Sequence, residues 1–272
     1  MNAHKGLLNH FVYPANSIRR WALSLWCAIA FTAILTACAG VPASQVAEKQ
    51  ARAHTELATR YYQVGQVAVA VQEAQIAIKS DASYIPAHTL LALIYAELGQ
   101  NAQADQFFDQ ALRLSAGQNT STTDLRNSYA WYLCQTNRMD EGLNQLSLVL
   151  NDPLYGSVDK ALVNAAVCSA RLGRVDTAES YVKAALDISP NFGAAYLYKG
   201  HLEVQKHQLS TARGDWQKAQ KYLSDGPELL WLLARIEHAE TSGVSSAGQR
   251  LMQKFPTSVE STWLNEGRWQ WF

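Results

Sequence analysis

From Ala51 onward, apolar residues recur every three or four positions and are broken by brief polar stretches, a pattern that predicts amphipathic helices rather than strands. The helical runs come in pairs, and the pairs recur every 34 residues. Four blocks fit this period without gaps: Ala51 to Tyr84, Ile85 to Gln118, Asp159 to Phe192 and Gly193 to Gly226. A further block runs from about Thr123 to Gly156 after the polar insert Asn119 to Thr122, and a degenerate one spans 227–256. Each of the first five blocks places small residues at its positions 8, 20 and 27: Ala58, Ala70, Ala77; Ala92, Ala104, Ala111; Ala130, Gly142, Val149; Ala166, Ala178, Ala185; Gly200, Ala212, Ala219. Two helices crossing at those positions can approach closely, whereas bulky side chains would push them apart.

Other inward positions carry larger residues, among them Leu57, Tyr61, Leu91, Tyr95, Phe108, Leu133, Val182 and Trp216, and these predict a core continuous from pair to pair. The turn inside each pair needs a residue that tolerates a left-handed backbone. Gly65, Gly99 and Gly173 meet that need and Asn137 is a tolerable substitute, whereas His207 is poorly suited. The block from Gly193 departs most, because Lys199 and Glu203 stand where apolar residues are expected.

A 34-residue period of paired helices is the pattern of the tetratricopeptide repeat. The expected fold is therefore all-α, a tetratricopeptide-repeat solenoid of about six helix-turn-helix repeats over 51–272. Residues from Pro256 to Phe272 would supply a capping helix, with Trp263, Trp269 and Trp271 covering the last apolar face. In such a solenoid, positions 2, 5, 9, 12 and 13 of each first helix line the inner face. Here they predict a partner-binding groove of Tyr62, Leu93, Trp131, Val163, Val167, Leu197 and Val204, flanked by Arg52, Glu97, Gln135, Arg171 and Gln205. An apolar strip with a polar rim suits an amphipathic helix or an extended tail, although about half of these side chains are expected to pack against neighbouring repeats instead.

Three segments are more individual than the repeat: Asn127-Ser128-Tyr129-Ala130-Trp131-Tyr132-Leu133-Cys134, Asn151-Asp152-Pro153-Leu154-Tyr155 and Asn164-Ala165-Ala166-Val167-Cys168. With a Lys254-Phe255-Pro256-x-Ser258 turn, they resemble the type IV pilus biogenesis and stability lipoproteins, the six-repeat pilotins of the pilus secretin. The resemblance implies a protein-binding scaffold that assists targeting and multimerisation of the secretin, whose C-terminal tail or another short segment would occupy the groove. The alternative on the same solenoid is an outer-membrane adaptor for cell-wall enzymes or for the barrel-insertion machinery. A cell-wall hydrolase is a further alternative, but it would need an acidic or nucleophilic cluster on the inner face that the named positions do not supply.

The N-terminus reads as an export signal. Lys5, Arg19 and Arg20 precede an uncharged run from Trp21 to Leu35 that ends in Leu35-Thr36-Ala37-Cys38. A run of about 15 residues falls short of the roughly 20 that span a bilayer. The Leu-Thr-Ala-Cys ending resembles the bacterial lipobox, which makes residues 1–37 a signal peptide and Cys38 the acylated first residue. Ala39 in place of aspartate then implies sorting to the outer membrane, with the protein lipid-anchored on the periplasmic face. The competing reading is an ordinary signal cut near Ala37 or Ala39. Residues 38–50 are read as the lipidated N-terminus and a flexible tether.

Cys27 leaves with the signal, so Cys134 and Cys168 are the cysteines left to the mature fold beyond the anchor. In an exported protein such a pair invites a disulfide, and the resembling family has cysteines here that are thought to pair; two semi-buried thiols are the alternative. Basic and acidic residues balance at 23 each, so no overall field favours nucleic acid. No His-Glu-x-x-His, Cys-x-x-Cys, phosphate-binding glycine loop or Gly-x-Ser-x-Gly occurs. His201 and His207 bracket Glu203, but a spacing of six puts them on different helix faces. No catalytic residue, metal, cofactor or small-molecule substrate is therefore expected.

Overall fold

The structure is a computed structural model that describes residues 42–117, 122–241 and 245–270. The signal segment, the Cys38 anchor site, most of the polar insert after Gly117 and Trp271 lie outside the described residues. Thirteen helices are present among the described residues: α1 (Ala43–Gln63), α2 (Val67–Ser80), α3 (Ile85–Glu97), α4 (Asn101–Ala116), α5 (Thr123–Gln135), α6 (Met139–Leu150), α7 (Val158–Arg171), α8 (Val175–Ile188), α9 (Gly193–Gln205), α10 (Leu209–Tyr222), α11 (Pro227–Thr241), α12 (Ser246–Lys254) and α13 (Val259–Asn265). Two units are distinguished, one ending at Lys49, of which the described part is the start of α1, and one of Gln50–Phe272. The helix begins at Ala43, so the second half of the expected tether is helical. Its sequence Ala43-Ser-Gln-Val-Ala-Glu-Lys-Gln has good helix formers and no breaker after Pro42.

Within the second unit, each odd-numbered helix from α3 to α11 pairs with the even-numbered helix that follows it, and successive odd-numbered helices over the same range also touch one another. The crossing positions explain the close pairing. Ala58, Ala70, Ala77, Ala92, Ala104, Ala111, Ala130, Ala178, Ala185, Ala212 and Ala219 are fully buried. At Gly200 an added Cβ would lie 2.7 Å from Leu232 Cδ2, and at Gly142 it would lie 2.6 Å from Cys134 Sγ. Neither site has room for even a methyl group without a shift.

Two expectations are corrected. Leu57 is 37% exposed, whereas its counterpart one period later, Leu91, is fully buried. The difference is positional: Leu91 faces the preceding pair, and no described pair precedes α1. His207 adopts the left-handed backbone (φ 60°) that Gly65, Gly99, Gly173 and Asn137 adopt in the equivalent turns. A left-handed non-glycine residue costs about 1–2 kcal/mol, partly offset by the extra chain entropy that glycine loses on folding. His207 is exposed. His207→Gly should therefore raise the unfolding free energy by about 0.5–1 kcal/mol, read as a higher urea midpoint at unchanged slope.

The polar residues of the fifth repeat are accommodated by an ion cluster. Lys199 Nζ donates to Glu203 Oε1 at 2.8 Å and to Asp215 Oδ2 at 2.5 Å, while Lys218 Nζ reaches Asp215 Oδ1 at 3.2 Å. Asp215 and Glu203 are buried, and burial raises the Glu203 pKa.

The last helices close the stack. Ser245 caps α12 by accepting from the Gly248 amide, and Ser258 caps α13 by accepting from the Ser261 amide. Helix α13 packs on both α12 and α11, beside the row of first helices. Trp231, fully buried on α11, meets Trp263 and Trp269 with ring centroids 5.7 Å away in each case, and Trp269 stacks on His238 at 3.7 Å.

Candidate functional site

The odd-numbered helices leave a groove of about 670 Å³ that runs from α3 across α5, α7, α9 and α11 to α13. Leu93, Trp131, Val167 and Leu197 of the expected strip line it, as do the expected flanking residues Glu97, Gln135 and Arg171. Val163 and Val204 do not. Each is buried in a core shared with the following repeat, Val163 in the cluster of Leu162, Ala166, Val182, Ala195 and Leu202, and Val204 in that of Leu229 and Ile236. Tyr62 packs against the core cluster of the first two pairs and does not line the groove. Arg52 and Gln205 also lie apart from it.

The groove holds residues that the pattern did not single out: Tyr198, His201, Glu228, Trp231, Val259, Glu260 and Trp263. Three of them were within reach of the same rule. His201 is position 9 of the fifth repeat, and Glu228 and Trp231 are positions 2 and 5 of the sixth. The contributions of α13 had no such signal, because they depend on how the cap folds back.

The electrostatics are uneven along the groove. Arg171 donates from Nη1 to the Cys134 carbonyl at 2.5 Å, and burial lowers its pKa. His201 is buried, and its Nδ1 lies 2.7 Å from Nη1 of Arg235. A guanidinium only donates, so this nitrogen accepts and the imidazole is neutral. Burial, and next the Arg235 charge, hold the His201 pKa well below its ordinary value. Arg235 in turn donates from Nε to the Trp269 carbonyl at 2.9 Å, and burial lowers its pKa to about 10. At the far end Glu228 is solvent-exposed, but the protein around it in the concavity, and next the nearby Glu260 carboxylate, push its pKa up. Tyr198 lines the same groove; burial, followed by the charges of Glu228 and Glu260, raises its pKa against an opposing effect of Arg171.

Cys134 and Cys168 lie on the neighbouring groove helices α5 and α7. Both are fully buried, with α-carbons 5.3 Å apart, a separation that a disulfide spans. Among the described residues no group of three or more His, Cys, Asp or Glu side chains is arranged to hold a metal ion, and no helix is long and apolar enough to cross a membrane.

The tetratricopeptide repeat family model matches residues 85–118 and 159–192, which are the second and fourth repeats. The chain folds as a tetratricopeptide-repeat solenoid. Among solved structures it resembles PilW, described as a widely conserved type IV pilus biogenesis factor, at 28% identity over 79% of this chain and 98% of that one, with a TM-score of 0.61. PilF of Pseudomonas aeruginosa shares the fold at 20% identity and a TM-score of 0.58, over 82% of this chain and 99% of that one. A tetratricopeptide repeat protein from Parabacteroides merdae shares it at 16% identity and a TM-score of 0.64, over 79% and 83% respectively. No curated protein sequence matches the chain. Tetratricopeptide solenoids present extended inner surfaces for binding other proteins.

Proposed function

We propose that this protein is a scaffold of type IV pilus biogenesis, anchored in the outer membrane through an acylated Cys38 and standing on its periplasmic face. Its groove captures the pilus secretin through the secretin's C-terminal tail or another short segment, and so assists secretin targeting and multimerisation. The observation that carries the reading is the likeness to PilW, 28% identical over nearly the whole of that chain. The amphipathic groove supports it, since an apolar floor with a polar rim suits a helix or an extended tail. Proteins held by one acyl chain bind membranes weakly, so a durable anchor at Cys38 calls for the several chains of a lipoprotein.

Deleting the gene and measuring secretin multimers in the outer membrane tests the role: multimers and piliation should fall, and unchanged levels of both would reject it. Trp131 and Leu93 are partly exposed on the groove floor. Leu93→Glu and Trp131→Glu should each weaken capture of the partner by at least about thirtyfold, the loss typical of a central apolar anchor. Circular dichroism should show the helical fold retained. Full capture by both folded variants would reject the groove as the binding surface.

A further inference from the structure

The ionisable groups of the groove are out of balance. Among the described residues that line it, Glu97, Glu228 and Glu260 stand against one cation, Arg171, and His201 is neutral. Arg171 is engaged with the Cys134 carbonyl. Glu228 and Glu260 both line this end of the groove and make no ion pair or hydrogen bond among the described residues, and the Glu260 charge bears on Glu228. Beside them Trp231, 1% exposed, lines the same end of the groove, and its indole N–H has no acceptor among the described residues. Two like charges lining one end of a concavity favour a cation there, and a buried N–H without an acceptor is a second unmet demand.

We propose that the guest is a polypeptide segment with a lysine or arginine next to an apolar stretch, its cation seated between Glu228 and Glu260 and its apolar side chains on Leu93, Trp131, Val167 and Leu197. This inference rests on the groove reading above and specifies the chemistry of the guest. It also orients the segment, because the acids sit at the α11–α13 end and the apolar floor extends toward α3.

A randomised peptide library displayed on phage and selected on the full chain tests it, followed by affinity measurements from tryptophan fluorescence on the enriched peptides. Enriched peptides should carry Lys or Arg flanking an apolar run. Their affinity should fall about tenfold on the E228Q/E260Q double variant, the worth of one charge-assisted contact, and should fall with added salt. Their neutral counterparts, with Gln for the basic residue, should bind the double variant and the parent alike. Enriched peptides without basic residues, or with affinity untouched by E228Q/E260Q, would overturn the charge rule while leaving the groove standing. No enrichment at all, or peptides that bind the Leu93→Glu variant as well as the parent, would overturn the groove reading and this inference together.

Discussion

Replacing Trp231 with alanine is expected to cost about 3–5 kcal/mol, the range for truncating a large buried aromatic. Trp231 is 1% exposed and is flanked by Trp263 and Trp269, so its loss removes the surface on which the cap is seated. The stability of a repeat array is close to a sum of terms between neighbouring repeats, so the damage should be local. Hydrogen exchange should quicken across α11–α13 while protection persists in the pairs before Ile188. Urea unfolding followed by circular dichroism supplies the magnitude. An unchanged unfolding profile, or uniform loss of protection, would contradict this account of how the end of the stack is held.

The second large effect concerns Cys134 and Cys168. Closing a loop over their sequence separation of 34 residues is expected to stabilise the fold by roughly 3–4 kcal/mol relative to two free thiols. The comparison is urea unfolding with and without a thiol reductant, with the C134A/C168A double variant as the unbridged reference. Because both side chains are fully buried, free thiols must be counted after unfolding without reductant. Two reactive thiols per chain at that point, with reductant changing nothing, would mean that the cysteines only fill space. A bridge here would tie α5 to α7, the helices that carry Trp131 and Val167 on the groove floor.

The solenoid was legible because its requirement is steric and repeated. A helix crossing that favours small residues leaves the same mark at the same position in successive blocks, and those positions are buried throughout. Leu57 was misread because periodicity describes a repeat with neighbours on both sides, whereas no described pair lies on the outer side of α1. His207 shows that tertiary packing can impose a backbone conformation on a residue that would not choose it. The groove was legible in part. Position within the repeat identified Leu93, Trp131, Val167 and Leu197, and carried into the sixth repeat it also points to Glu228 and Trp231. Inner-face position does not by itself determine exposure, as Val163 and Val204 show: each sits where neighbouring repeats cover it. Val259, Glu260 and Trp263 belong to a helix outside the period, and their place depends on Arg235 and Trp231 drawing the last segment back against α11.

That returning segment has a further consequence. An array of repeats can lengthen by letting the bare flank of its final member receive another, whether from the same polypeptide or from a different molecule. Here α13 and the indoles around Trp231 occupy that flank, so end-to-end concatenation on this side would first require prying them loose, and the same peptide that terminates the row also furnishes one wall of the cleft.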